Sequence, residues 1–374
     1  MNSVQSWVGT SRGKLPSLFT PHIFSYHLGM KTRVLPVSDA ALSEACQILR
    51  GGDLVAFPTE TVYGLGGLGL HSEAVQKIFH AKGRPSTDPL ILHLPSPDLG
   101  FAARGGIVAE PIPEPASLLT KKFWPGPLTL ILRKGHHVPV EVTSGLDTVA
   151  VRFPSHPDAQ RLLAEIGQPL AAPSANRFGR ISPTEASAVL QELEGKIPLI
   201  LDGGSCSNGI ESTVLTLSES NPVILRPGSI SVDQISETLK VPVATRSSSI
   251  SPNRSTASPG MLAHHYAPQT PLYLCTSPIQ NFDSLYQYIV YSNAPNPKNP
   301  RVQILAPDRQ PSSAAQNLYK TLRQADVAGD SAILMDPIPD SPWAPALRDR
   351  LTRASAGTAE WREGKWSLLP RMTS

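Results

Sequence analysis

The stretch that decides the fold runs from Phe57 to His93 and has the sequence FPTETVYGLGGLGLHSEAVQKIFHAKGRPSTDPLILH. A short apolar strand over Leu54 to Phe57 leads into a hydroxyl-bearing segment and then a glycine-rich turn, and the following helix delivers Lys82 and Arg84. Leu90 to Leu94 is predicted to be the next strand. In an open α/β sheet, ligands bind at the carboxyl ends of the strands. Hydroxyl and amide donors beside fixed cations predict an anionic, phosphate-bearing ligand there.

Length and composition set the broad class of protein. A chain of 374 residues predicts two domains, and 40% apolar with 17% charged residues is ordinary for a globular protein. The net charge of +3 is too small to indicate nucleic-acid binding by itself, although a local basic groove remains open. No run of about 18 apolar residues occurs, so we expect no membrane span.

Three cysteines, Cys46, Cys206 and Cys275, are far apart in the sequence. Their spacing gives neither a zinc module nor a disulfide framework. We therefore expect a reducing, cytoplasmic location.

The chain divides into five segments by composition and periodicity. Residues 1–30 contain no acidic residue and are expected to be a disordered extension or to result from an upstream start codon. A transit peptide is the alternative, although the segment is poor in arginine and shows no clear amphipathic helix. An alternating strand and helix pattern predicts a first α/β domain over 31–242. A Ser/Thr/Pro-rich linker follows over 243–271, and a smaller α/β domain is predicted over 272–357, with a loose tail over 358–374.

Local patterns add details to this outline. Thr148 to Phe153 alternates as a strand that carries Arg152 on its polar face. The run Ser182-Pro183-Thr184-Glu185 predicts a capping box that starts a helix over 183–193. In the second domain, a helix is predicted near 281–290.

The sequence lacks several common catalytic signatures. No Walker A motif occurs, because Gly364-Lys365 is followed by Trp366. The ten histidines form no HxxxH or HExxH pair, so we predict no dedicated metal site. Spacing supports no Ser-His-Asp or Cys-His arrangement.

The candidate residues each have a simpler explanation beside the functional one. Lys82 and Arg84 suit a ligand anion but also the dipole at a helix C-terminus. Arg152 needs an anion, either a carboxylate or a ligand. Ser182 suits a helix cap and equally an anion site at a helix N-terminus. Tyr266, with the histidine before it, is either a surface residue or part of the site.

Nine ordered motifs show a specific resemblance. They are PTETVYGLG, KIFHAKGRP, FWPGPLTL, GLDTVAVRFPSHP, APSANRFGRISPT, LDGG, GIESTV, ILRPG and the linker SPGMLAHHYAP. Together they resemble the YrdC/YciO-type threonylcarbamoyl-AMP synthase family in its long, two-domain form, over about residues 32–356. The resemblance implies a YrdC-like twisted mixed α/β sheet with a concave basic groove, and a small Rossmann-like C-terminal domain.

The resemblance also implies a reaction. L-threonine, bicarbonate and ATP give threonylcarbamoyl-AMP and pyrophosphate, and a separate transferase uses the product to make N6-threonylcarbamoyladenosine in tRNA. Mg²⁺ is expected with the triphosphate rather than in a protein cage. A weak contact with tRNA is expected as well.

Family roles can be transferred to matching positions in this sequence. Lys82 and Arg84 are the expected catalytic residues. The L-threonine pocket is expected at Thr61, His93, Arg152, Ala172 and Ser212. The ATP contacts are expected at Arg84, Asp88, Thr148, Ser174, Asn176, Ser182, Arg226 and Tyr266.

Two departures and two alternatives accompany this hypothesis. Asp88 stands where the family often has Asn, and it would either help to hold Mg²⁺ or weaken a phosphate contact. Residues 262–264 are less basic and aromatic than the family's linker often is. One alternative is a non-catalytic tRNA- or double-stranded-RNA-binding module, although stacking aromatics are sparse. The other is a related carbamoyl-adenylate enzyme of hydrogenase maturation, whose CxxC pairs are missing here.

Overall fold

The computed structural model describes residues 29–217, 221–246, 265–292, 298–327 and 330–371. Most of the expected N-terminal extension, residues 1–28, lies outside the described residues, as does the central part of the linker, residues 247–264.

The N-terminal domain comprises residues 31–246. Its strands are β1 (Arg33–Pro36), β2 (Val55–Phe57), β3 (Gly64–Leu68), β4 (Ile91–His93), β5 (Leu128–Arg133), β6 (Thr148–Arg152), β7 (Leu170–Ala171), β8 (Leu199–Asp202), β9 (Thr213–Thr216), β10 (Val223–Arg226) and β11 (Ala244–Thr245). Its helices are α1 (Asp39–Arg50), α2 (Ser72–Lys82), α3 (Leu99–Arg104), α4 (Glu114–Phe123), α5 (Val140–Thr143), α6 (Pro157–Ile166), α7 (Ala186–Leu193) and α8 (Val232–Leu239).

The described strands of this domain form one mixed sheet of eleven strands. Their order is β1-β8-β2-β3-β7-β4-β6-β5-β9-β10-β11. The parallel pair β4 and β6 aligns His93 with Arg152 at the carboxyl ends of both strands. Antiparallel pairing of β9 with β10 brings the start of β9 beside Arg226. The predicted mixed α/β fold is confirmed, and its topology gathers these strand ends at one edge of the sheet.

The glycine-rich stretch is a strand, where the sequence predicted a turn. β3 is fully buried and pairs antiparallel with both β2 and β7. A Cβ atom on Gly66 would lie 2.8 Å from the ring of Phe57, which is closer than packed atoms allow. The glycines therefore allow the strand to lie against bulky neighbours. The turn lies one step earlier, at Thr59, whose hydroxyl donates to the carbonyl of Val62 at 2.6 Å.

The predicted capping box at Ser182 is wrong. Helix α7 begins at Ala186, with Glu185 as the N-cap residue and without a side-chain cap. The hydroxyl of Ser182 donates instead to the carboxylate of Glu211 at 2.6 Å. A buried, charge-assisted hydrogen bond has displaced the local one that the sequence pattern favours.

The C-terminal domain comprises the described residues from 265 to 371. Its elements are β12 (Leu272–Cys275), β13 (Tyr286–Val290), β14 (Val302–Ile304), α9 (Pro311–Val327), β15 (Ala332–Met335), α10 (Ala344–Ala354), β16 (Ser355–Arg362) and β17 (Lys365–Pro370). The sheet order is β14-β13-β15-β12-β16-β17, and the strands are parallel except for the final hairpin.

Two sequence expectations for this domain are wrong. The helix expected near 281–290 is strand β13, whose Tyr-Gln-Tyr-Ile-Val sequence suits a sheet interior and which pairs with a parallel strand on each side. The loose tail expected over 358–374 instead supplies most of the hairpin β16–β17, up to Pro370. Trp366 anchors this hairpin, because it is buried among Tyr288 and other residues of the domain core.

The two domains share a hydrophobic cluster. It joins Val62, Ile181 and Ile210 of the N-terminal domain to Tyr266 and to the buried faces of α9 and α10. The C-terminal domain therefore packs directly over the edge of the first sheet at which the strand ends meet. No helix among the described residues has the length and apolar character needed to cross a bilayer.

The hairpin makes a stability prediction. Trp366→Ala should lower the free energy of unfolding by about 3–5 kcal/mol, because it removes a large buried side chain. Leu369→Ala, on the same strand but 42% exposed, is the matched control and should cost less than about 1 kcal/mol. Denaturant unfolding followed by circular dichroism measures both values. Equal, small effects would mean that the hairpin does not belong to the core.

Candidate active site

One cavity lies at the edge of the N-terminal sheet, beneath the C-terminal domain. It is lined by side chains from both sides of the domain boundary. The structure brings nine of the residues singled out from the sequence to its wall: Thr61, Arg84, His93, Arg152, Ala172, Ser174, Ser212, Arg226 and Tyr266.

Arg152 forms one corner of the cavity with the threonine turn. Its guanidinium donates to the hydroxyl of Thr61 at 2.9 Å and to the carbonyl of Gly126 at 3.3 Å. Its Nη2 lies 2.7 Å from Oε1 of Glu60, and both side chains are almost fully buried. The anion that Arg152 requires is therefore supplied at least in part by the protein. This corner offers a fixed cation and hydroxyl groups to a small polar ligand.

His93 is held neutral beside Arg152. Burial, together with the positive charge of Arg152, lowers the pKa of His93 to about 3. Its Nδ1 is buried and makes no hydrogen bond within the part of the chain that the structure describes. A neutral imidazole adds hydrogen-bonding capacity to this corner without adding charge.

Arg84 and Asp88 form a buried ion pair at the second corner. Nη2 of Arg84 lies 2.9 Å from Oδ2 of Asp88, and the guanidinium also donates to the carbonyls of Asp88 and Pro89 at 3.1 and 2.8 Å. Burial lowers the pKa of Arg84, and the carboxylate of Asp88 opposes that shift. The sequence analysis expected Asp88 to face Mg²⁺ or phosphate, whereas its carboxylate pairs with Arg84.

Lys82 lies behind the cavity wall instead of lining it. It is the last residue of α2, before Gly83 caps the helix in a left-handed conformation. Its ammonium donates to the carbonyls of Ser174 and Asn176. Burial, followed by the nearby charge of Arg84, lowers the pKa of Lys82 well below its usual value. In this arrangement Lys82 fixes the backbone that presents Ser174.

The remaining predicted ATP contacts fall into two groups. Asn176 and Ser182 use their side chains within the protein, because the amide of Asn176 donates to two backbone carbonyls and the hydroxyl of Ser182 donates to Glu211. Thr148 does not line the cavity. It lies at the opposite end of β6 from Arg152, in a separate, smaller pocket.

Ser212 and Arg226 form the third side of the cavity. The guanidinium of Arg226 donates to the carbonyl of Ser212 at 3.1 Å and to its hydroxyl at 3.2 Å. The Ser212 hydroxyl also lies 2.7 Å from the hydroxyl of Thr129. Arg226 thus fixes the position of the Ser212 hydroxyl at the cavity wall.

Tyr266 closes the cavity from the linker side. It is only 1% exposed, with a backbone φ of 65°, and it packs between the two domains. Its ring lies 4.2 Å from that of His265, measured between centroids, and His265 also lines the cavity. Neither residue lies on the surface, which was the simpler alternative that the sequence left open.

Sequence reasoning missed the carboxylates and the contribution of the second domain. Glu60 and Glu211 lie within the quoted motifs PTET and GIEST, next to residues that were selected. The sequence does not show that each of these two carboxylates pairs with an arginine, so neither was selected. Arg350 and Tyr319, which bond Glu211 from the C-terminal domain, carry no local signature because the contact spans more than 100 positions.

Comparisons with known proteins agree with this architecture. Residues 47–228 match the Sua5/YciO/YrdC family model, described as "Telomere recombination", and residues 230–356 match the model described as "Threonylcarbamoyl-AMP synthase, C-terminal domain". The chain is 38% identical to the threonylcarbamoyl-AMP synthase of Bacillus subtilis, over 87% of this chain and 96% of the relative. It is 36% identical to that of Schizosaccharomyces pombe, over 94% and 98%.

A solved structure resembles both domains together. The crystal structure of Pyrococcus abyssi Sua5 complexed with L-threonine superposes with a TM-score of 0.77 at 35% identity, and the match covers 89% of this chain and 99% of that one.

Fold and cavity together define a two-domain α/β protein with a polar cavity among buried arginines. The matches to both domains make the assignment specific. The chain belongs to the threonylcarbamoyl-AMP synthase family.

The Arg84–Asp88 pair makes a testable prediction. Asp88→Asn should lower the KM for ATP several-fold, because it removes a negative charge beside Arg84 while the amide oxygen can still accept a hydrogen bond from that guanidinium. Asp98→Asn, which alters an exposed ion pair with Arg104, is the control and should change nothing. A higher KM in Asp88→Asn would contradict this prediction and would mean that the charge of the carboxylate is needed, either to hold Arg84 in place or to contact a metal ion.

Proposed function

We propose that this protein condenses L-threonine, bicarbonate and ATP into threonylcarbamoyl-AMP, with release of pyrophosphate. The observation that carries the proposal is the shared cavity, whose wall combines the Thr61, His93 and Arg152 corner with the cations Arg84 and Arg226. Family membership supports it, since relatives that match nearly the full length are threonylcarbamoyl-AMP synthases.

The proposed reaction has two bond-forming steps. The threonine nitrogen attacks the bicarbonate carbon, and loss of water leaves a carbamate. A carbamate oxygen then attacks the α-phosphorus of ATP, and the bond to the pyrophosphate leaving group breaks. Because two anions must meet in line, positioning and charge neutralisation dominate this chemistry. Fixed guanidinium groups in a water-poor cavity supply both.

We propose the following ligand positions, which the arrangement of the cavity wall supports. We place the threonine carboxylate near Arg152, with the Thr61 and Ser212 hydroxyls and the neutral His93 around the rest of the amino acid. The phosphates lie toward Arg84 and Arg226. Lys82, Asn176 and Ser182 act behind the wall as supports. The separate pocket at Thr148 leaves that residue without an evident contact in this arrangement.

Mg²⁺ would enter with the triphosphate. Among the described residues, no group of three or more histidine, cysteine or carboxylate side chains forms a metal site. Glu60, Asp88 and Glu211 near the cavity are each paired with an arginine. These donors do not form a protein cage, so phosphate oxygens and water would hold the ion.

The cellular context is part of the proposal. We expect the adenylate to pass to a separate transferase that modifies tRNA, with only a weak tRNA contact by this protein, in the cytoplasm. The RNA-binding alternative is disfavoured because the side chains of Arg84, Arg152 and Arg226 are at most 7% exposed and cannot track a nucleic-acid backbone.

Pyrophosphate release tests the proposed reaction. Purified protein should release pyrophosphate from ATP only when L-threonine and bicarbonate are both present. Arg84→Ala should reduce this rate at least 10-fold, because a buried charge-assisted contact worth about 1.5–3 kcal/mol is lost. Arg104→Ala, at an exposed site, should retain the full rate. Release without threonine, or unchanged release in Arg84→Ala, would contradict the proposal.

A further inference from the structure

Arg350 reaches from the C-terminal domain toward the cavity of the N-terminal domain. It lies on α10 and is 1% exposed. Among the described residues that are fully buried, it has the largest side chain. Its Nε donates to Oε2 of Glu211 at 2.9 Å, and its Nη1 donates to the carbonyl of Pro227 at 2.9 Å. A single guanidinium therefore binds two segments of the other domain.

These two segments carry residues of the cavity wall. Glu211 directly precedes Ser212, and Pro227 directly follows Arg226. The segments also touch each other closely, since a Cβ atom on Gly228 would lie 2.3 Å from the backbone nitrogen of Thr213. Arg350 thus clamps the outer flank of the hydrogen-bonded pair formed by Ser212 and Arg226.

Glu211 needs this partner because it lines a cavity that is otherwise suited to anions. Its carboxylate accepts hydrogen bonds from Ser182 at 2.6 Å, from Tyr319 at 2.9 Å and from Arg350. Burial favours its protonation, but the charges of Arg350 and Arg226 outweigh that effect and lower the pKa of Glu211 to about 2. Without Arg350, an ionised carboxylate would remain at the wall with less compensation and would repel anionic substrates.

The same guanidinium also contacts the residue that closes the cavity. Its Cζ lies 5.4 Å from the centroid of the Tyr266 ring, in a cation–π arrangement. Tyr319 of α9 stacks on the Tyr266 ring, with centroids 5.9 Å apart. Arg350 is therefore in contact with the wall and with the closing side chain at once.

We propose that Arg350 is a positioning residue of the active site, through which the C-terminal domain sets the affinity of the cavity for L-threonine and ATP. This inference rests on the proposed function. It assigns to the second domain a role in substrate binding, because the guanidinium of Arg350 holds two residues of the cavity wall, Glu211 and Tyr266, in position.

Substrate kinetics of full-length variants test the inference. Arg350→Met should raise the KM for L-threonine and for ATP at least 10-fold, while thermal unfolding shows that the variant is folded at the assay temperature. Arg350→Lys should raise both KM values less than Arg350→Met does, since lysine keeps the positive charge but cannot donate to Glu211 and Pro227 at the same time as a planar guanidinium does. Arg350→Met combined with Glu211→Gln should also raise them less than Arg350→Met alone, because the uncompensated carboxylate is removed.

Two further variants separate positioning from simple support. Tyr319→Phe removes one hydrogen bond to Glu211 and keeps the ring, so it should raise both KM values by a smaller factor in a folded protein. Lys320→Met breaks the exposed cross-domain ion pair with Glu185 and should leave KM unchanged. A purely structural role would lower the melting temperature and the active fraction in Arg350→Met with both KM values unchanged, and that result would overturn the inference.

The wild-type protein distinguishes this failure from failure of the proposed function. Wild type that turns over L-threonine and ATP, beside an Arg350→Met variant with unchanged KM, contradicts the positioning role alone. Wild type without threonine-dependent turnover contradicts the proposed function. In that case calorimetric titration with L-threonine and with ATP decides the inference, which fails if wild type and Arg350→Met bind both ligands equally or neither ligand.

Discussion

Compensation of buried charge is the constraint on which the site depends. Three arginines around one cavity each meet a buried carboxylate: Arg152 with Glu60, Arg84 with Asp88, and Arg350 with Glu211. An unpaired guanidinium at this depth would destabilise the fold, whereas a paired one can remain charged and still face a ligand. The pairs therefore let the protein keep several cations in a water-poor cavity. They also fix each guanidinium in one geometry before any substrate arrives.

This constraint links the two domains to a single function. The N-terminal domain supplies two of the ion pairs, and the third crosses the domain boundary through Arg350. Tyr266 completes the enclosure by packing in the hydrophobic cluster shared by both domains. Burial of the charged side chains strengthens the electrostatic contacts between them. The cavity is thus a product of both domains, although most of its lining residues come from the first.

Sequence patterns anticipated the mixed α/β fold, and the family resemblance carried by short motifs indicated nine of the residues that line the cavity. They failed where long-range contacts decide the outcome. The sequence around Ser182 predicts a helix cap, but its hydroxyl donates a hydrogen bond to Glu211, 29 positions away. A helix was predicted near Tyr286–Val290, but this segment is a strand that pairs with a parallel neighbour on each side. Arg350 has no local signature, since its contact with Glu211 crosses to the other domain. The roles assigned to individual site residues remain predictions.

Isotope-labelled product analysis tests the central claim most directly. The protein would be incubated with ATP, L-threonine and ¹³C-bicarbonate, and the products followed by ¹³C and ³¹P NMR. The account predicts a new carbamate carbon signal that carries the label and is coupled to phosphorus through a P–O–C linkage, together with stoichiometric pyrophosphate. Label that stays in bicarbonate while ATP is converted to ADP or AMP would contradict it, because the buried cations would then serve a nucleotide reaction without carbamate formation.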